Sequence, residues 1–219
     1  MSTRRQEGAN GKALCGLTVA IAVTLLPVGR WLTPHHSMPE LMLVEAVWWS
    51  YAVLVLAWLR FGERLPLGSI GLRRPTWASL GFALLAAVAL VAVFIFHFAV
   101  VVPVFHLDAS AAGRERSLIL ARPFWFRLLM VLRAAVVEEI LFRGYIIEKV
   151  RQMTKSTWLA VLVSVAAFTV AHLNGWGAVQ LIPVFGSGVV FALLYVWKRD
   201  LPSNMIAHFI IDAIGFLLR

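Results

Sequence analysis

A single cysteine, Cys15, is all the thiol this chain has, which excludes an intramolecular disulfide and any cysteine-rich metal centre. Charge is scarce as well. Only 14% of the 219 residues are charged, against about 25% in an ordinary soluble domain. Acids are the rarer sign, with 11 Asp and Glu facing 20 Lys and Arg for a net charge of +9. The basic excess is spread over several loops between apolar runs and not clustered on one segment, so anionic lipid head groups are its expected counter-charge and nucleic acid is not an expected partner. No G-x-S-x-G is present, and Ser164 and Ser187 lie in apolar runs with no base placed beside them. No H-E-x-x-H stands on any helix, which excludes a zincin by pattern. Internal repeats, low-complexity tracts and a soluble domain are all missing.

What the chain does have is hydrophobic length. Apolar residues make up 61% of it, and the mean hydropathy is +0.84. Crossing a bilayer takes about 20 residues of helix. Runs at 13–28, 41–59, 77–105, 124–147, 157–173, 179–197 and 203–218 approach or exceed that length. The expected fold is all-α, a polytopic transmembrane bundle of about seven spans. Residues 1–123 would form three N-terminal spans and their loops, and 124–219 the chemically active core of one integral membrane domain. The polar, basic stretch before residue 13 has the look of a signal peptide. Pro27, Gly29 and Arg30 make no small-residue cleavage site, however, so the run is read as an uncleaved first span. Basic residues concentrate in 60–76, 148–156 and at Lys198-Arg199, which favours a cytoplasmic N-terminus in a prokaryotic plasma membrane.

Several polar residues have bland readings. His35 and His36 fall in a short turn at 33–40 and are expected to be solvated. His97, among Phe94, Phe96 and Phe98, is expected to be a packed or hydrogen-bonded helix residue. Glu45, near Trp48, Trp49 and Trp58, is expected at an interfacial level where its carboxylate reaches water, with a helper role at the site as the sharper alternative. The stretch 106–122 reads as a polar loop, and Pro183, Gly186 and Gly188 permit a kink and close helix contact in the sixth span.

The run 124–147 is different. Glu138, Glu139 and Arg143 fall within six residues of it. Each charge at the centre of a lipid-embedded helix costs roughly 2.5–3.5 kcal/mol, so the three cannot face lipid together. Glu139 and Arg143 are i, i+4 partners, which leaves Glu138 pointing about 100° away. Two more ionisable sets lie in later spans: His172 at the end of the fifth, and His208 with Asp212, again i, i+4, in the seventh. A carboxylate and a neutral imidazole that share one water can make it a nucleophile. Counted at 1.5 Å per residue, however, Glu138, His172 and His208 lie at roughly 14, 22 and 8 Å from the cytoplasmic ends of their spans.

Glu138-Glu139-x-x-x-Arg143, Phe168-x-x-x-His172 and His208-x-x-x-Asp212 resemble the three ordered motifs of the CPBP (Abi) intramembrane proteases, which include the type II CAAX prenyl endopeptidases. The likeness runs from about Phe124 onward and takes in Phe142-Arg143-Gly144-Tyr145. The resemblance implies that Glu138 and His172 activate the water and that Glu139 and Arg143 brace the site. It also implies that His208 and Asp212 face the oxyanion and that Phe168 packs beside them. An ionised aspartate cannot donate to an oxyanion, so Asp212 is either protonated or orients His208. The substrate would be a peptide or protein with a membrane-embedded or C-terminal segment, and no cofactor is expected. Two alternatives use the same residues. One is a zinc-dependent protease with Glu, His and Asp as ligands, the other a proton-coupled carrier or scaffold.

Overall fold

The computed structural model describes residues 2–24, 37–173 and 177–218. His35, His36 and most of the turn at 174–177 lie outside these, as does the end of the first apolar run. Among the described residues there are eight helices and no strand.

The chain begins with α1 (Ser2–Thr24) and α2 (Met38–Ala57), the latter prolonged by a wide turn at Trp58–Gly62. Helix α3 (Trp77–Phe96) is likewise extended by His97–Val101 and Val102–Val104. Helix α4 is Ser110–Leu120, and α5 opens at Phe124–Arg133, passes through Ala134–Ile147 and ends in Glu148–Thr154. The set is completed by α6 (Thr157–Ala171), α7 (Leu181–Lys198) and α8 (Leu201–Phe216).

Short polar residues start these helices by satisfying orphan backbone groups. At α2, Glu40 Oε2 accepts from the Ser37 backbone N–H (2.7 Å) and Oγ (2.9 Å). At α3, Thr76 and Ser79 exchange bonds, side chain to backbone, at 3.0 and 3.1 Å. At α6, Ser156 Oγ accepts from the Leu159 N–H at 3.2 Å.

Among the described residues, three helices are long and apolar enough to cross a membrane: Met38–Gly62, Trp77–Val104 and Ala178–Lys198. Thr157–Ala171 and Leu201–Phe216 are shorter apolar helices. Their outward faces carry large apolar side chains, Leu54, Val88 and Leu162 each more than 60% exposed. An aqueous surface would penalise that arrangement and lipid would not. The molecule is a helical membrane bundle.

Helix α5 is its axis. Between Ala134 and Ile147 the hydrogen bonds widen to the i→i+5 pattern, and twelve of the fourteen residues there are buried. Such wide turns recur at functional sites. Gly144 allows this tight seat, because a Cβ would stand 3.2 Å from Leu201 Cδ2 and 3.3 Å from the Ile70 carbonyl oxygen. On α7, a Cβ on Gly186 would stand 2.9 Å from Val93 Cγ1, and one on Gly188 3.2 Å from Phe168 Cδ1. These glycines bring α7 against α3 and α6.

Two local expectations are corrected and a third, for His97, holds. The stretch 106–122 is not all loop, because α4 occupies most of it and seats Ala112 and Ile119 in the interior. Glu45 does not reach water: it is 2% exposed and paired with Arg133. His97 is packed, edge-on to Phe98 at 4.8 Å, but neither ring nitrogen has a hydrogen-bond partner.

Candidate active site

Helices α5, α6 and α8 bring their ionisable residues to one wall of a cavity of about 600 Å³, also lined by α2, α3, α4 and α7. Glu138, Phe168, His172, His208 and Asp212 all border it. The separate depths counted along the spans are therefore overturned. Helix α6 ends at Ala171, which makes His172 its C-cap, and α8 starts at Leu201, two residues earlier than expected. The wide turns of α5 add less length per residue than an α-helix does.

Glu139 is fully buried and is the hub of the inner layer. Its Oε1 accepts from Arg143 Nη1 at 2.9 Å and from His208 Nδ1 at 2.9 Å. Its Oε2 accepts from Asn204 Nδ2 at 3.1 Å, and the same amide donates to the Phe191 carbonyl at 2.8 Å. Arg143 is also fully buried, and its guanidinium lies 4.2 Å from the Phe168 ring centre and 4.9 Å from that of Phe191. Two aromatic faces thus replace the water a guanidinium would otherwise keep, since their negative faces attract a cation. Phe168 also meets Phe142 edge-on at 5.2 Å and His172 at 4.6 Å, while Phe191 stacks on His208 at 4.8 Å.

Glu138 occupies the outer layer and is not left without a cation. Arg133 Nη1 donates to its Oε1 at 3.1 Å, and Arg133 Nε donates to Glu45 Oε1 at 3.2 Å. Glu138 Oε2 is buried with no hydrogen-bond partner and lies 3.8 Å from His172 Nε2. His172 Nδ1 donates to the Phe168 carbonyl at 2.8 Å, which fixes the ring and leaves Nε2 as the acceptor of the neutral imidazole. Two acceptors therefore face one another across a gap at the cavity wall. On the far side His208 Nε2 is 3.5 Å from Asp212 Oδ2, so this ring has a carboxylate at each nitrogen.

Sequence reasoning missed two members, Arg133 and Asn204, and offered a third, Glu45, only as an alternative. Arg133 pairs with Glu138 at a spacing of five, which an ideal α-helix does not bring together and the wide turns do. Asn204 stands one turn before His208, and the i, i+4, i+8 stripe Asn204–His208–Asp212 was the available signal. Glu45 was read as interfacial. As the side chains stand, no group of three or more His, Cys, Asp or Glu among the described residues is arranged to hold a metal ion. Glu139 is saturated by Arg143, His208 and Asn204, and Arg133 lies against Glu138.

Comparison with known proteins finds sequences similar to this chain. Residues 120–214 match the family model described as type II CAAX prenyl endopeptidase Rce1-like. The chain is 29% identical over 140 residues to the membrane-embedded CAAX protease MroQ of Staphylococcus aureus (strain USA300), covering 60% of this chain and 53% of that protein. It thus spans about half the length of this relative. No solved structure matches. Every residue of the site that lies on α5, α6 or α8 falls within the matched stretch, so over that stretch the chain is similar to the type II CAAX prenyl endopeptidase Rce1-like proteins.

Proposed function

We propose that this protein is an intramembrane peptidase that hydrolyses a peptide bond with a water activated by Glu138 and His172. The observation that carries the reading is that Glu138 Oε2, buried without a hydrogen-bond partner, lies 3.8 Å from the acceptor nitrogen Nε2 of His172 at the wall of a cavity. A water between them donates one hydrogen to each and turns its lone pair toward the substrate. As the water oxygen attacks the scissile carbonyl carbon, its proton passes to Glu138. The same carboxyl then protonates the leaving amine as the C–N bond breaks. Arg133 holds Glu138 in place, and Glu139, itself held by Arg143 and Asn204, holds His208. As an imidazolium, His208 donates through Nδ1 to Glu139 and through Nε2 to the oxyanion. Asp212, 3.5 Å from Nε2, orients the ring until the oxyanion forms, and a placed oxyanion donor is worth about 2.7–4 kcal/mol.

The cavity walls suit a peptide lying in the membrane, since Phe94, Phe98, Phe168 and Phe191 line them together with aliphatic side chains. The substrate class is therefore a peptide or protein segment that is membrane-embedded or C-terminal to a membrane anchor. The match to the Rce1-like family model over residues 120–214 and the similarity to a relative named as a CAAX protease support hydrolysis of this class. The basic segments 60–76 and 148–156 support a plasma-membrane protein with a cytoplasmic N-terminus.

The test is a comparison of membrane-associated peptides between cells carrying the native chain and cells carrying Glu138→Gln. A peptide pair, uncut in the variant and cut in the native strain, supports the reading. Identical peptide profiles contradict it and favour a carrier or scaffold. Metal content and sensitivity to chelation, measured on the purified protein with the identified substrate, separate the water mechanism from a zinc one.

A further inference from the structure

A second cavity, of about 460 Å³, opens at the end of the bundle where α5 stops and α6 starts, away from the acid–histidine site. Four cations line it: Lys149, Arg151, Lys155 and Arg199. One carboxylate, Glu148, answers two of them, accepting from Arg199 at 2.8 and 3.1 Å and from Arg151 at 3.2 Å. Lys149 is buried and paired with Glu63. That leaves Lys155, which has no ion pair among the described residues, and a net positive pocket.

The remaining groups are also donors. Ser69 Oγ is buried with no hydrogen-bond partner. Thr157 is the first residue of the 15-residue α6, so the positive end of that helix dipole stands at the pocket. The backbone adds an independent sign. Lys155 (φ 59°) and Arg199 (φ 48°) both close helices in the left-handed region, where glycine is the unstrained residue. Two helix ends thus keep a long cation where the backbone prefers no side chain, and both cations line the same cavity.

The pocket lies at a membrane surface. Trp58, Trp77, Trp158 and Trp197 are 37–88% exposed at the ends of α2, α3, α6 and α7 that surround it. Contacts at this end hold those elements together: Leu201 N–H donates to the Gly71 carbonyl, and Lys12 Nζ to the Gly62 carbonyl. A ring of exposed tryptophans is where a bundle meets the head groups. We propose that this cavity binds the phosphate of an anionic phospholipid, with Lys155, Arg151, Ser69 and the start of α6 as its donors.

The test uses the full chain in a neutral maltoside detergent and follows thermal unfolding with added dioleoyl-phosphatidylglycerol, dioleoyl-phosphatidylcholine or inorganic phosphate. Phosphatidylglycerol is expected to raise the midpoint by about 5 °C at saturation, with no rise from the other two. Lys155→Gly should unfold no earlier than the native chain without lipid, because it relieves the left-handed residue, yet lose most of the lipid-induced rise. Lys198→Gln removes a cation at the same end but outside the pocket, stacked on Trp197 and Phe82, and should keep the rise. An equal rise with phosphatidylcholine or inorganic phosphate overturns the proposal, as does a rise that survives Lys155→Gly combined with Arg151→Gln. Equal loss in Lys198→Gln also overturns it, since that would show a diffuse surface charge effect.

Discussion

Arg133 and Glu138 meet at 3.1 Å although five residues separate them. The contact exists because α5 widens between them, and it ties the outer carboxylate of the site to a second buried acid, Glu45, through one guanidinium. Three charges therefore share a nearly dry region, and removing the central one strands two like charges.

Arg133→Met is accordingly expected to destabilise the fold by about 3–5 kcal/mol, the usual cost of breaking a buried pair. Thermal unfolding in detergent reads this directly. The double variant Arg133→Met with Glu45→Gln should recover part of the loss, since one stranded carboxylate is gone. A single variant with an unchanged midpoint would show that the triad carries no stability.

Arg143→Leu should also destabilise by about 3–5 kcal/mol, because Glu139 loses its fully buried cation and two aromatic faces lose theirs. His208 and Asn204 still bond Glu139, so the loss belongs at the lower end. An unchanged unfolding midpoint with abolished turnover would instead make Arg143 part of the chemistry.

Much of this was legible in the sequence. The helical membrane fold followed from apolar run lengths, and the three motifs placed Glu138, His172 and His208 in separate helices. The wide register of α5 was not legible, because no proline or repeat announces it, and Arg133 was hidden with it. Helix α4 was obscured by its own composition: Arg114, Glu115 and Arg116 read as loop until Ala112 and Ile119 are seen to face inward. Burial pushes the Glu115 carboxyl above its ordinary value, against the pull of Arg114. Glu45 looked interfacial because tryptophans flank it. Its partner sits 88 residues away, and no local pattern encodes that distance.

Asp212→Asn is expected to retain turnover and Asp212→Leu to lose it. The Asp212 carboxylate stands 3.5 Å from His208 Nε2, close enough to orient the ring, and an amide oxygen can take over that acceptor role. Cleavage rates for both variants across pH check this. A dead Asp212→Asn that has also lost a stoichiometric metal would favour the zinc mechanism, because an amide is a poor zinc ligand.

The most direct measurement is the cleavage rate of Glu138→Gln, purified in detergent, on a peptide cut by the native chain. The amide keeps the shape and the Arg133 contact through its oxygen but cannot take a proton. The rate should fall by at least about 100-fold, the lower bound for losing a placed general base, while the unfolding midpoint and metal content match those of the native protein. Turnover within a few fold of native would contradict the assignment of Glu138 as the base and with it the glutamate–water mechanism.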